Sequence, residues 1–122
     1  MDAHIDAQTQ PDAGTVLSVT LHWLARSSTR VDAIIFMHAL DSSGKVIAQN
    51  DHQPDGGWFP TNYWQAGDLI EDRFEIHLPQ GARYEDIQIG IGMYDSQTLQ
   101  RLAAFDVASG QRARDDILLI RK

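Results

Sequence analysis

Ile70-Glu-Asp-Arg-Phe-Glu-Ile-His-Leu78 is the stretch on which the fold turns. Ile70, Phe74, Ile76 and Leu78 fall on one parity, and Glu71, Arg73, Glu75 and His77 on the other. A period of two puts apolar side chains on one face of a strand and charged ones on the opposite face. Asp72 departs from the pattern because it shares the apolar parity. A carboxylate pointing inward must be paired or hydrogen-bonded. Arg101 and the backbone N–H groups of the preceding long loop are the candidate partners. Pro79-Gln-Gly81 closes the strand.

The same period recurs along the chain. Leu17, Val19, Leu21 and Trp23 alternate with Ser18, Thr20 and His22. Ile87, Ile89, Ile91 and Met93 alternate with Gln88, Gly90, Gly92 and Tyr94. Two glycines on one face of a strand predict close approach by a neighbouring chain or side chain. Residues 31–40 (VDAIIFMHAL) are apolar on both parities, with Ile34, Phe36, His38 and Leu40 on one side. That predicts a central strand covered on both faces, although periodicity alone also fits a buried helix. The turn Asp41-Ser-Ser-Gly44 and a short strand at residues 45–49 favour a β-hairpin. Residues 101–107 and 116–121 read as the last strands. Residues 1–14 read as a lead-in or, around His4–Ala7, an edge strand. The total is seven to eight strands without an amphipathic helix. The expected fold is therefore all-β, an antiparallel β-sandwich of immunoglobulin-like or jelly-roll-like type, with a single domain over residues 15–122.

Composition narrows the function classes. The chain has 122 residues, is 43% hydrophobic, contains no cysteine and carries a formal net charge of -7. Disulfides and thiol chemistry are excluded, so the two sheets must hold by packing. Trp23, Phe36, Phe74 and the Ile87–Met93 row are the residues expected to do this. Nucleic acid is not an expected partner, because its binding rests on clustered Lys and Arg. No apolar run reaches the roughly 18 residues of a membrane helix, so direct membrane insertion is not expected. The five histidines (His4, His22, His38, His52, His77) show no metal-ligand spacing, and no glycine loop precedes a helix to cradle phosphate. No cofactor is expected.

Several stretches carry a family resemblance. Leu21-His-Trp23, Ile35-Phe-Met-His-Ala-Leu-Asp41 and Gly44-Lys-Val-Ile-Ala-Gln-Asn-Asp51 are similar to an "L-x-W … FxHLxDxxGxxxAQxD" run. Gly57-Trp-Phe-Pro-Thr-Asn-Tyr-Trp-Gln-Ala-Gly67 is similar to a "GxxPTxxWxxG" segment. Asp72-Arg-Phe74, Gly92-Met-Tyr-Asp95 and Arg101-Leu102 complete the series over residues 15–107. The set resembles a β-sandwich domain at the carboxyl end of bacterial and archaeal multi-spanning glycosyltransferase-like membrane proteins, also found alone. It departs from that family at residues 24–31 and in having no membrane segment. The resemblance implies a non-catalytic sandwich on the extracytoplasmic side, appended to sugar-transfer machinery.

Residues 50–68 (NDHQPDGGWFPTNYWQAGD) form the candidate site. A loop of this length in a compact domain is often functional. Trp58, Phe59, Tyr63 and Trp64 offer faces that stack on sugar rings, with Asp51, Asp55 and Asn62 as hydrogen-bonding groups. The competing reading is that the tryptophans cap the core. A mixed outcome has Trp64 buried and Trp58 exposed. Seven acids lie between Asp41 and Glu75 against only Lys45 and Arg73, a net of -5. Asp51, Asp55 and Asp68 are weak calcium candidates, since hard cations take oxygen ligands. Turn chemistry explains the same residues. His38 and Asp72 read as a structural polar pair.

Three function classes follow. One is an accessory module binding neutral carbohydrate or a protein partner through residues 51–67. The second is a structural domain, dimerising through an edge strand or the second apolar face of residues 31–40. The third is a small hydrolase or isomerase using His38 or His52 with an aspartate.

Overall fold

The computed structural model describes residues 2–10 and 14–120. Its strands form two antiparallel sheets. β1 (Asp2–Gln10), β2 (Gly14–Leu24) and β5 (Leu69–Leu78) make the first, in the order β1-β2-β5. β3 (Ala33–Leu40), β4 (Val46–His52), β6 (Gln88–Asp95) and β7 (Leu118–Ile120) make the second, in the order β4-β3-β6-β7. β2 beside β5 and β3 beside β6, with β4 added at the β3 edge, is the immunoglobulin-type arrangement. Among the described residues no helix is long and apolar enough to cross a membrane.

The period-two strands bury the faces their sequence predicts. Leu17, Val19 and Leu21 of β2 and Ile76 and Leu78 of β5 line the inside of the first sheet. They meet Ile35, Met37 and Ala39 of β3 and Ile87, Ile89 and Ile91 from the β6 side. Trp23 and Phe74 pack against this core while partly buried. Phe36 does not join it, contrary to expectation. It lies on the opposite parity, beside Gly92 and beneath Arg101.

Part of that second face of β3 lies under later residues of the chain: Arg101 stands over Phe36, and the Asp116 carbonyl comes close to Gly92. The expected strand at residues 101–107 is absent. Two isolated bridges stand there instead, Tyr94 to Arg101 and Phe105 to Arg112. Arg112 closes the segment with a bidentate pair to Asp116 at 2.7 and 2.8 Å. The Arg112 guanidinium, then the Ala104 N–H, hold the Asp116 carboxyl down to about 2.

The glycines of β6 make this covering possible. A Cβ on Gly92 would stand 2.3 Å from Phe36 Cζ and 2.8 Å from the Asp116 carbonyl oxygen. One on Gly90 would stand 2.5 Å from Ile117 Cγ2. Gly92→Ala is expected to destabilise the fold by about 1–3 kcal/mol through overpacking. Denaturant unfolding checks this, and an unchanged midpoint would contradict the close approach.

Candidate functional site

The site is built outward from Asp72, which is fully buried on the inner face of β5. β5 and β4 are edge strands of opposite sheets. The register pairs Ile35 with His52 and Met37 with Asn50, so His52 and Asn50 share the core-facing side of β4. His52 Nε2 thereby comes 2.6 Å from Asp72 Oδ2. His52 Nδ1 lies 2.8 Å from Asn50 Oδ1, while Asn50 Nδ2 donates to the Glu75 carbonyl at 2.7 Å. The Asn50 amide nitrogen is engaged by Glu75, so its oxygen faces the ring and His52 Nδ1 is assigned as the donor. Phe74 packs beside the ring, with centroids 4.2 Å apart.

The partner of Asp72 is thus His52, not His38 or Arg101. His38 points out of the opposite sheet face, 5.0 Å from the Phe36 ring centre. Arg101 sits over that same Phe36, 4.8 Å from its centroid. Burial first, and the Arg101 charge second, lower the His38 pKa, with Asp51 opposing them.

The second oxygen of Asp72 organises the aromatic loop by accepting the Asp55 N–H at 3.1 Å. Asp55 and Gly56 take successive left-handed conformations, with φ of 54° and 62°, and the Trp58 N–H returns to the Asp55 carbonyl at 3.0 Å. Further along, buried Thr61 donates to the Val31 carbonyl at 2.6 Å and accepts the Ala33 N–H at 2.8 Å. Gln53 reaches both Asp32 oxygens at 3.1 Å. Ala25 joins the loop's far end, donating to the Asp68 carbonyl and accepting from Gly67. The loop is fastened along its whole length.

That fastening sorts the aromatic residues. Trp64 is buried in a small cluster with Ala25 and Ile70, 6.4 Å from Trp23 and 6.5 Å from Phe59 between ring centres. Its indole N–H donates to the Phe59 carbonyl at 2.9 Å. Trp64 and Phe59 therefore cap the sandwich end. Trp58 is 88% exposed and Tyr63 66% exposed. Asp55 and Asn62 are exposed on the same loop. Asp51 belongs to β4 instead, where its carboxylate accepts the Tyr94 hydroxyl at 3.1 Å. Asp68 accepts the Gln65 N–H. Among the described residues no three His, Asp or Glu side chains converge, so Asp51, Asp55 and Asp68 are not brought together.

No protein-family model matches the chain, and no curated protein or solved structure matches it.

Two outcomes follow from these contacts. His52→Ala leaves the buried Asp72 carboxylate facing Asp55 alone. It is expected to cost on the order of 3 kcal/mol, against about 0.5 kcal/mol or less for the exposed His77→Ala. Equal effects in denaturant unfolding would refute the strut. Folding also keeps His38 neutral at a pH where a free imidazole takes up a proton. The unfolded chain binds more protons there, so stability falls as pH drops below the ordinary value of 6.5. His38→Gln is expected to lose part of that fall between pH 7.5 and pH 5.5, read as the difference in denaturant midpoint from the unsubstituted chain.

Proposed function

We propose that the chain is a non-catalytic binding module that holds a neutral carbohydrate against Trp58. The observation that carries this is an almost bare indole on a loop fastened by Asp72, Thr61 and Gln53. A pre-positioned aromatic face offers stacking area without the entropic cost of ordering a mobile loop. Tyr63 adds a second exposed ring, and Asp55 and Asn62 supply hydrogen bonds to hydroxyl groups. The surplus of acids between Asp41 and Glu75 repels anions and tolerates an uncharged sugar. The resemblance to a sandwich domain appended to sugar-transfer machinery supports the same ligand class and an extracytoplasmic setting.

The geometry of His52 favours binding over catalysis at the Asp72 pair. Both ring nitrogens are engaged by neighbours, which leaves neither to take a proton from a bound molecule.

A panel of neutral oligosaccharides titrated against intrinsic fluorescence tests the reading. At least one is expected to quench Trp58. Trp58→Ala is expected to weaken that binding by about 30-fold, which is roughly 2 kcal/mol. Because the side chain is exposed, the substitution is expected to change stability by no more than about 0.5 kcal/mol. Quenching by no sugar, or equal binding by Trp58→Ala, would overturn the proposal. Capture of a protein through Trp58 with no sugar response would shift the function to the protein-partner class.

A further inference from the structure

The outer face of the second sheet holds a separate pocket of about 280 Å3, lined by Phe36, His38, Asp51, Tyr94, Leu99 and Arg101. Its floor is set by strand register. Asp51 of β4 and Gly92 of β6 flank Phe36 of β3. With no side chain at Gly92, the Phe36 ring lies across β6, and Arg101 closes over it. Tyr94 stacks at 6.2 Å from Phe36 and reaches across β3 to Asp51.

Two opposite charges face this pocket without meeting. Arg101 gives one N–H, from Nη1, to the Asp115 carbonyl at 2.9 Å. Asp51 takes the Tyr94 hydroxyl on one oxygen. Among the described residues, none of the ion pairs contains Arg101 or Asp51. The guanidinium keeps further donors, and the carboxylate keeps a second oxygen. Both groups are held in place, Arg101 by its stack and its bridge to Tyr94, and Asp51 by the Tyr94 hydroxyl.

We propose that this pocket binds a small zwitterion of amino-acid size, with its carboxylate on Arg101 and its ammonium on Asp51. A simple anion would meet the Asp51 charge, and a simple cation would meet Arg101. A neutral sugar would hydrogen-bond to both groups but would bring no opposite charge to either. The volume suits a molecule of that size, since it lies just below the usual range for drug-sized ligands. Neutral His38 offers the ligand a hydrogen bond without adding a third charge. The site is independent of Trp58.

The probe is L-alanine, titrated into the 15N-labelled chain, with acetate, methylammonium and D-glucose as partial ligands. L-alanine is expected to shift the amide signals of Phe36, His38, Asp51, Tyr94 and Arg101 saturably, with a dissociation constant on the order of 1 mM. Each partial ligand is expected to bind at least about tenfold more weakly. Arg101→Gln and Asp51→Asn are each expected to lose about tenfold while keeping a dispersed spectrum, and Trp58→Ala is expected to leave the titration unchanged. No saturable shift at these residues would overturn the proposal. So would acetate or methylammonium alone binding as tightly as L-alanine, which would mean a plain anion or cation site. D-glucose binding there as tightly would overturn it as well.

Discussion

Asp72 is the constraint around which the rest is arranged. It stands on the apolar parity of β5, in a position an aliphatic residue would fill without further demands. A carboxylate there must have its oxygens satisfied from inside the fold. One is satisfied by His52 from the edge of the opposite sheet, and the other by the Asp55 N–H of the aromatic loop. A single buried side chain thus ties together three elements that share no backbone ladder. Asn50 extends the tie, since it orients His52 and grips the Glu75 carbonyl of β5. The sandwich edge between β4 and β5 is closed by side-chain hydrogen bonds where a disulfide-free chain has no covalent staple.

The same tie connects architecture to function. A loop of nearly twenty residues with few contacts opens easily. Here the aromatic segment is anchored at Asp55, Thr61 and Trp64, and the tethers all run inward. What remains outside is the part with no structural employment: Trp58, Tyr63, Asn62 and the Asp55 side chain. Trp64 and Phe59, similar in chemistry, are used up in the end cap. Position along a fastened loop, more than residue type, separates the aromatic groups that hold the fold from those that face solvent. The covered side of the second sheet follows a parallel logic. Gly90 and Gly92 let residues 96–117 lie close, and the covering leaves a charged recess beside Phe36.

Much of this was legible in the residues. Period two located β2, β5 and β6 and the faces they bury. The two apolar parities of residues 31–40 announced a strand covered on both sides, and the paired glycines announced close approach. Asp72 on an apolar parity signalled an internal partner, and a loop N–H was one of those expected. His52 is hidden as the other, because an apolar count ends the strand at residue 49 and leaves the histidine in the loop. The parity signal was present: Ala48, Asn50 and His52 alternate with Gln49 and Asp51. Polar residues on the core side of an edge strand hide a strand from an apolar count. Phe36 departs from expectation for a different reason. Its size suggested the core between the sheets, whereas parity puts it on the other face, where a distant segment buries it. The residues 101–107 failed as a strand because their pairing is limited to single bridges, which local sequence does not encode.

The most direct test of a loop pinned by Asp72 is the backbone 15N order parameters of residues 53–67. Values of about 0.85 through Asp55 and Trp58 are expected in the unsubstituted chain, as in rigid backbone, with a marked fall confined to this segment in a folded Asp72→Asn variant. Values below about 0.6 in the unsubstituted chain, or no change in the variant, would contradict it.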